Sequence, residues 1–86
     1  MLAATLQAIR TIRVVTKDEP RLLDPRDAIV EVEVAGLCGS DLHPWSGREP
    51  GLDPGTTMGH ELTGRVVEVG ADVARLRPGD PVLSPF

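Results

Sequence analysis

Aromatic side chains are almost missing from this sequence: Trp45 and Phe86 are the only two, and there is no tyrosine. Any core must therefore come from valine, leucine, isoleucine and alanine. Cys38 is the only cysteine, which excludes an intrachain disulfide and points to a reducing compartment, most simply the cytoplasm. No apolar run approaches the roughly 20 residues needed to cross a bilayer. The first ten residues lack the basic leader and apolar stretch of a signal peptide. A soluble protein with no membrane partner is expected. Bases are also scarce, nine against thirteen acids, for a net charge of -4. That excludes a general nucleic-acid binder, which needs a basic face. No G-x-G-x-x-G occurs, so no dinucleotide fingerprint is present.

What is present reads as globular. The 86 residues are 41% hydrophobic and 26% charged, enough for one domain or part of one. Nine glycines and eight prolines punctuate short β-rich runs. Residues 29–34 (IVEVEV) alternate apolar and acidic at period two, the pattern of a strand with one buried face. Residues 65–69 (RVVEV), closed by Gly70, read as a second strand, and residues 11–16 (TIRVVT) as a third. Residues 2–7 and 81–83 are weaker strands. No segment holds eleven residues of helical period, and the prolines break any attempt at one. Many short strands with Gly/Pro turns predict an all-β sandwich or small barrel.

The stretch from residue 37 to residue 58 shows little strand character, and structureless loops of that length are usually functional or disordered. The reactive side chains crowd in it and just beyond: Cys38, Ser40, Asp41, His43, His60 and Glu61. A thiolate with an imidazole suits zinc, and carboxylates can ligate or orient. Residue types alone leave blander readings open. Cys38 reads equally as an inert buried side chain, Ser40 and Asp41 as turn caps, and His43 as an ordinary loop residue. Trp45 lines a pocket or plugs a barrel end. Residues 48–55 (REPGLDPG) read as a rigid, solvated loop.

Residues 36–43 (GLCGSDLH), 59–70 (GHELTGRVVEVG) and 73–82 (VARLRPGDPV) together resemble three linked signatures of the zinc-dependent, medium-chain alcohol dehydrogenases. The resemblance runs from about residue 11 to Phe86. It implies an all-β, partly open barrel of the co-chaperonin (GroES-like) type, incomplete at its C-terminal end. Residues 1–86 would be a partial N-terminal domain without the dinucleotide-binding domain. It further implies that Cys38 and His60 ligate the catalytic zinc, with Glu61 beside the metal and sometimes on it. Asp41 would orient the His60 imidazole from behind. Ser40 would take the substrate's proton and His43 would pass it toward water. The cofactors implied are Zn2+ and, in the parent protein, NAD or NADP; the partner is a small alcohol or aldehyde. A homo-oligomeric parent stays open. Glycines 59, 64 and 70 match tight backbone turns.

Two departures stand out. Residues 8–11 (AIRT) replace the Gly/Pro turn usual between the first two strands, and neither Ala8 nor Ile9 favours positive φ, so an altered or loosened first hairpin is expected. The four-cysteine lobe and the remaining zinc ligand of such relatives are missing, so the 86 residues are expected to be inactive alone. Two rival functions remain: a non-enzymatic co-chaperonin-like barrel module, in which the cysteine and histidines are incidental, and a non-functional truncated product whose unpaired sheet edge promotes self-association.

Overall fold

The computed structural model describes residues 1–49 and 52–85. Pro50 and Gly51 of the expected turn-rich loop, and the aromatic Phe86, lie outside the described residues. Among the described residues six strands form in chain order: β1 (Leu2–Ala8), β2 (Thr11–Thr16), β3 (Ala28–Ala35), β4 (Thr56–Thr57), β5 (Leu62–Val69) and β6 (Pro81–Ser84). A 3-10 turn (Gly39–Asp41) and a one-turn helix, α1 (Leu42–Trp45), lie between β3 and β4. The strands make two open three-stranded sheets, ordered β2-β1-β4 and β3-β5-β6, neither closed into a barrel. The chain divides into two compact units, one around each sheet. No helix of the described residues is long and apolar enough to cross a membrane.

In the first unit β1 is central, antiparallel to both neighbours. Its Ala3, Thr5 and Leu6 are buried. Thr5 is fully enclosed, and its hydroxyl donates to the Arg13 carbonyl (3.1 Å) and accepts from Gln7 Nε2 (2.7 Å). That exchange removes the penalty of burying a hydroxyl. The β1–β2 hairpin is formed and so is not loosened, but it is altered at its end, with a register shift between Leu6 and Ala8. Arg10 takes the left-handed conformation itself (φ 58°), which costs about 1 kcal/mol for a residue with a Cβ. Two contacts offset that cost: the Arg10 N–H donates to the Trp45 carbonyl (2.7 Å), and the guanidinium sits 5.6 Å from the Trp45 ring centroid. Trp45 thus packs against Arg10, a partner that the sequence did not indicate.

In the second unit β5 is central, and Val66, 1% exposed, is its one fully buried apolar side chain. Asp27 opens β3 by accepting the N–H groups of Leu23 (3.1 Å) and Asp24 (3.0 Å) on Oδ2. The Arg26 side chain, and then its backbone N–H, hold the Asp24 carboxyl below its ordinary pKa. Arg65 donates to the Gly79 carbonyl (3.1 Å) and pairs with Glu33 (3.2 Å). That ion pair is more than half exposed, so it adds little stability. The expected buried face of β3 is not buried: Val32 is 50% exposed and Val34 65%. The period-two pattern encodes a face made to be covered, and the described residues leave it open.

Gly64 and Gly70 serve close approach rather than turns. A Cβ on Gly64 would overlap the Glu31 carbonyl oxygen across the β3–β5 ladder, and one on Gly70 would overlap the Pro25 carbonyl. Gly59 does turn the chain, at φ 100°. Gly64→Ala is expected to cost about 2–3 kcal/mol, seen as a lowered urea midpoint. Gly39→Ala, at an open position, is expected to leave the midpoint nearly unchanged. Equal midpoints for the two variants would refute the close-approach constraint.

Candidate metal centre

Cys38 ends the run that leaves β3 and has an extended backbone (φ -119°, ψ 154°). The next three residues close a tight turn on it. The Cys38 N–H donates to Asp41 Oδ2 (2.9 Å), and the Asp41 N–H donates to the Cys38 carbonyl (3.0 Å). An acid three residues past the first position of a helical turn is well placed to take that amide. Asp41 is buried, so its carboxylate serves as a structural acceptor inside the turn. Ser40 rides on the same turn, and its hydroxyl donates to Cys38 Sγ (3.3 Å).

The turn runs straight into α1. Pro44 is tolerated there because a one-turn helix asks little of its first N–H groups. His43 is exposed on α1; its carbonyl accepts the Arg48 N–H (2.8 Å) and the Ser46 hydroxyl (3.3 Å).

His60 and Glu61 stand immediately before β5, both half-buried. Cys38 offers a sulfur, His60 an imidazole nitrogen and Glu61 a carboxylate oxygen as possible ligand atoms. Sulfur, imidazole nitrogen and carboxylate oxygen are the three donor types that zinc takes. The donor set therefore fits that metal, and a soft thiolate in it disfavours magnesium or calcium.

The sequence named all six of these side chains. It missed the Ser40-to-Cys38 hydrogen bond, although a hydroxyl two residues from a cysteine in a tight turn is a readable signal.

Residues 24–86 match the family model described as the alcohol dehydrogenase GroES-like domain. The chain belongs to that family. It is 42% identical over its whole length to the medium chain reductase/dehydrogenase ucsI of an Acremonium species, covering 30% of that protein. It is also 42% identical over its whole length to zinc-type alcohol dehydrogenase B of Aspergillus flavus, covering 20% of it. The solved structure of alcohol dehydrogenase TADH from Thermus sp. ATN1 superposes on the whole chain with a TM-score of 0.93 and 44% identity, and the match spans 25% of that chain. The chain thus spans between a fifth and a third of the length of these relatives. The family match agrees with the all-β, GroES-like architecture expected from the three signatures.

Asp41→Ala leaves the Cys38 N–H without its carboxylate and is expected to cost about 1–2 kcal/mol of stability. Asp41→Asn, which keeps an acceptor oxygen, is expected to recover more than half of that in the urea midpoint. Indistinguishable midpoints for Asp41→Ala and the wild-type chain would remove the turn's structural role.

Proposed function

We propose that this chain supplies the metal-binding part of a zinc-dependent oxidoreductase, which moves a hydride between a small alcohol or aldehyde and a nicotinamide cofactor. The observation that carries the reading is that the stretch matching the alcohol dehydrogenase GroES-like domain holds Cys38 on its closed turn, with His60 and Glu61 just before β5, a sulfur, nitrogen and oxygen donor set. Family membership supports it, as does the zinc type named for the Aspergillus flavus relative. Residues 1–86 make up the GroES-like domain of this protein in part, and a nicotinamide site, for NAD or NADP, belongs outside them.

Cys38 and His60 would hold the zinc, with Glu61 as a third donor or neighbour. When bound, the ion supplies Lewis acidity toward a substrate oxygen. The remaining steps fall to the chain's own side chains. Ser40 carries a hydroxyl on the thiol turn, and a substrate hydroxyl entering there can hand its proton to Ser40 Oγ. That requires Oγ to turn its own hydrogen away from Cys38 Sγ, a rotation about one bond. As that proton arrives Oγ gives up its own hydrogen, which His43, exposed on α1, takes up and releases to water. Asp41 serves twice: it holds the thiol turn, and its carboxylate is the group suited to fix the His60 tautomer. Hydride chemistry is the cofactor's own. With no fingerprint for that cofactor, the 86 residues are inactive by themselves. The lone cysteine is in keeping with a cytoplasmic setting, and the acidic balance with a small-molecule partner rather than a nucleic acid.

Two measurements test this. Competition with a chromophoric chelator should show one zinc per chain, and Cys38→Ser should abolish it. A version carrying the remaining length of its relatives should oxidise alcohols with NAD or NADP. There Cys38→Ser should remove turnover, and His43→Ala should slow it about tenfold or more. Turnover of the longer version that survives Cys38→Ser would refute the proposal.

A further inference from the structure

Lys17 lies just past the end of β2 and is half-buried. Its ammonium donates to the Gly55 carbonyl (2.8 Å) and to Thr57 Oγ1 (2.7 Å), partners 38 and 40 residues away in sequence. The lysine backbone is itself anchored: its N–H donates to the Met1 carbonyl (2.8 Å), and the chain's terminal ammonium donates to the Lys17 carbonyl (2.8 Å). The side chain therefore reaches from a fixed base to both ends of the segment 55–57.

That segment needs holding. Its strand, β4, is two residues long and pairs with β1 at only Thr5↔Thr57 and Leu6↔Thr56. Two flanking amides help, Gly55 N–H to the Leu6 carbonyl (2.8 Å) and Met58 N–H to the Ala4 carbonyl (2.9 Å). A strand this short has little ladder to resist fraying. Charge-assisted hydrogen bonds from an ammonium are about twice as strong as neutral ones. Directly after Met58, Gly59 takes its left-handed turn (φ 100°), and His60 follows. The segment that Lys17 grips is thus the tether of a candidate zinc ligand.

We propose that Lys17 is a positioning residue for His60: by clamping Gly55 and Thr57 it fixes the backbone from which the imidazole is presented. The inference rests on the zinc reading of His60 given above. It assigns the lysine no contact with metal or substrate. Its effect is to reduce the freedom that the ligand would otherwise lose on binding.

The test uses the 86-residue chain, with zinc itself as the probe and a chromophoric chelator as competitor. Lys17→Met should weaken zinc binding by about tenfold, in the range found when groups supporting a metal ligand are removed. In the zinc-free chain the same variant should speed hydrogen exchange at the Met58 amide. Lys17→Arg, which keeps a charged donor of similar reach, should restore most of the affinity. Val15→Ala, a half-buried change in β2 away from the clamp, should lower the urea midpoint and leave zinc affinity unchanged. An unaltered affinity in Lys17→Met overturns the inference, as does an equal loss in Val15→Ala. If the wild-type chain binds zinc and Cys38→Ser does not, an unaltered Lys17→Met sinks the clamp alone. No zinc binding by the wild-type chain sinks the metal reading and the clamp together.

Discussion

The hydrogen bond from the Cys38 amide to the Asp41 carboxylate is the contact on which the site depends. It closes residues 38–41 into a turn, and the turn sets where the thiol goes. Without it Cys38 would be one residue in a long connection leaving β3, free to sample many backbone states. Fixing one residue's backbone costs roughly 1–2 kcal/mol, so a site meant to hold a ligand gains from meeting that cost before the ligand arrives. The same closure brings the Ser40 hydroxyl onto Sγ at 3.3 Å. One carboxylate therefore organises both the group proposed to bind metal and the group proposed to receive a proton.

The scaffold around that turn is economical to the point of weakness. Its buried apolar side chains are Ala3, Leu6 and Val66 among the described residues, and no aromatic ring adds bulk to them. A core this small leaves backbone geometry to carry much of the specificity. The β3–β5 ladder tolerates only hydrogen at Gly64, because the Glu31 carbonyl occupies the space of a Cβ. Polar clamps fill in where apolar burial is thin: the enclosed Thr5 hydroxyl, the Asp27 carboxylate at the entry to β3, and the Arg10 guanidinium on Trp45. Each is a directed contact with few alternatives, so each fixes register as well as contributing energy.

Much of the fold was legible in the sequence because strands announce themselves by period. Residues 11–16, 29–34, 65–69 and 81–83 all fall inside observed strands, and so do residues 2–7. What escaped was of two kinds. β4 and α1 are too short to show any period, and Pro44 inside α1 argues locally against a helix. The positive φ at Arg10 could not be read from residues 8–11, since arginine prefers it no more than alanine does; the Trp45 carbonyl and ring, 35 positions on, select it. The exposed face of β3 shows a further gap between pattern and packing. Alternation states which side of a strand is apolar, and says nothing of whether the chain in hand covers it.

The two halves of the donor set differ in the same way, and the difference explains which of their supports could be foreseen. The thiol is presented by a contact of sequence separation three, so the residues that position it sit inside the motif that names it. The imidazole follows a segment held by contacts of separation 38 and 40, from a lysine that no motif includes. Local presentation is written where the ligand is written. Distant presentation is written wherever the fold happens to bring a donor of the right length. For that reason a signature of ligands identifies a metal centre more readily than it identifies what tunes it. Residues such as Lys17 become visible only when the hydrogen bonds of the backbone next to a ligand are accounted for one by one.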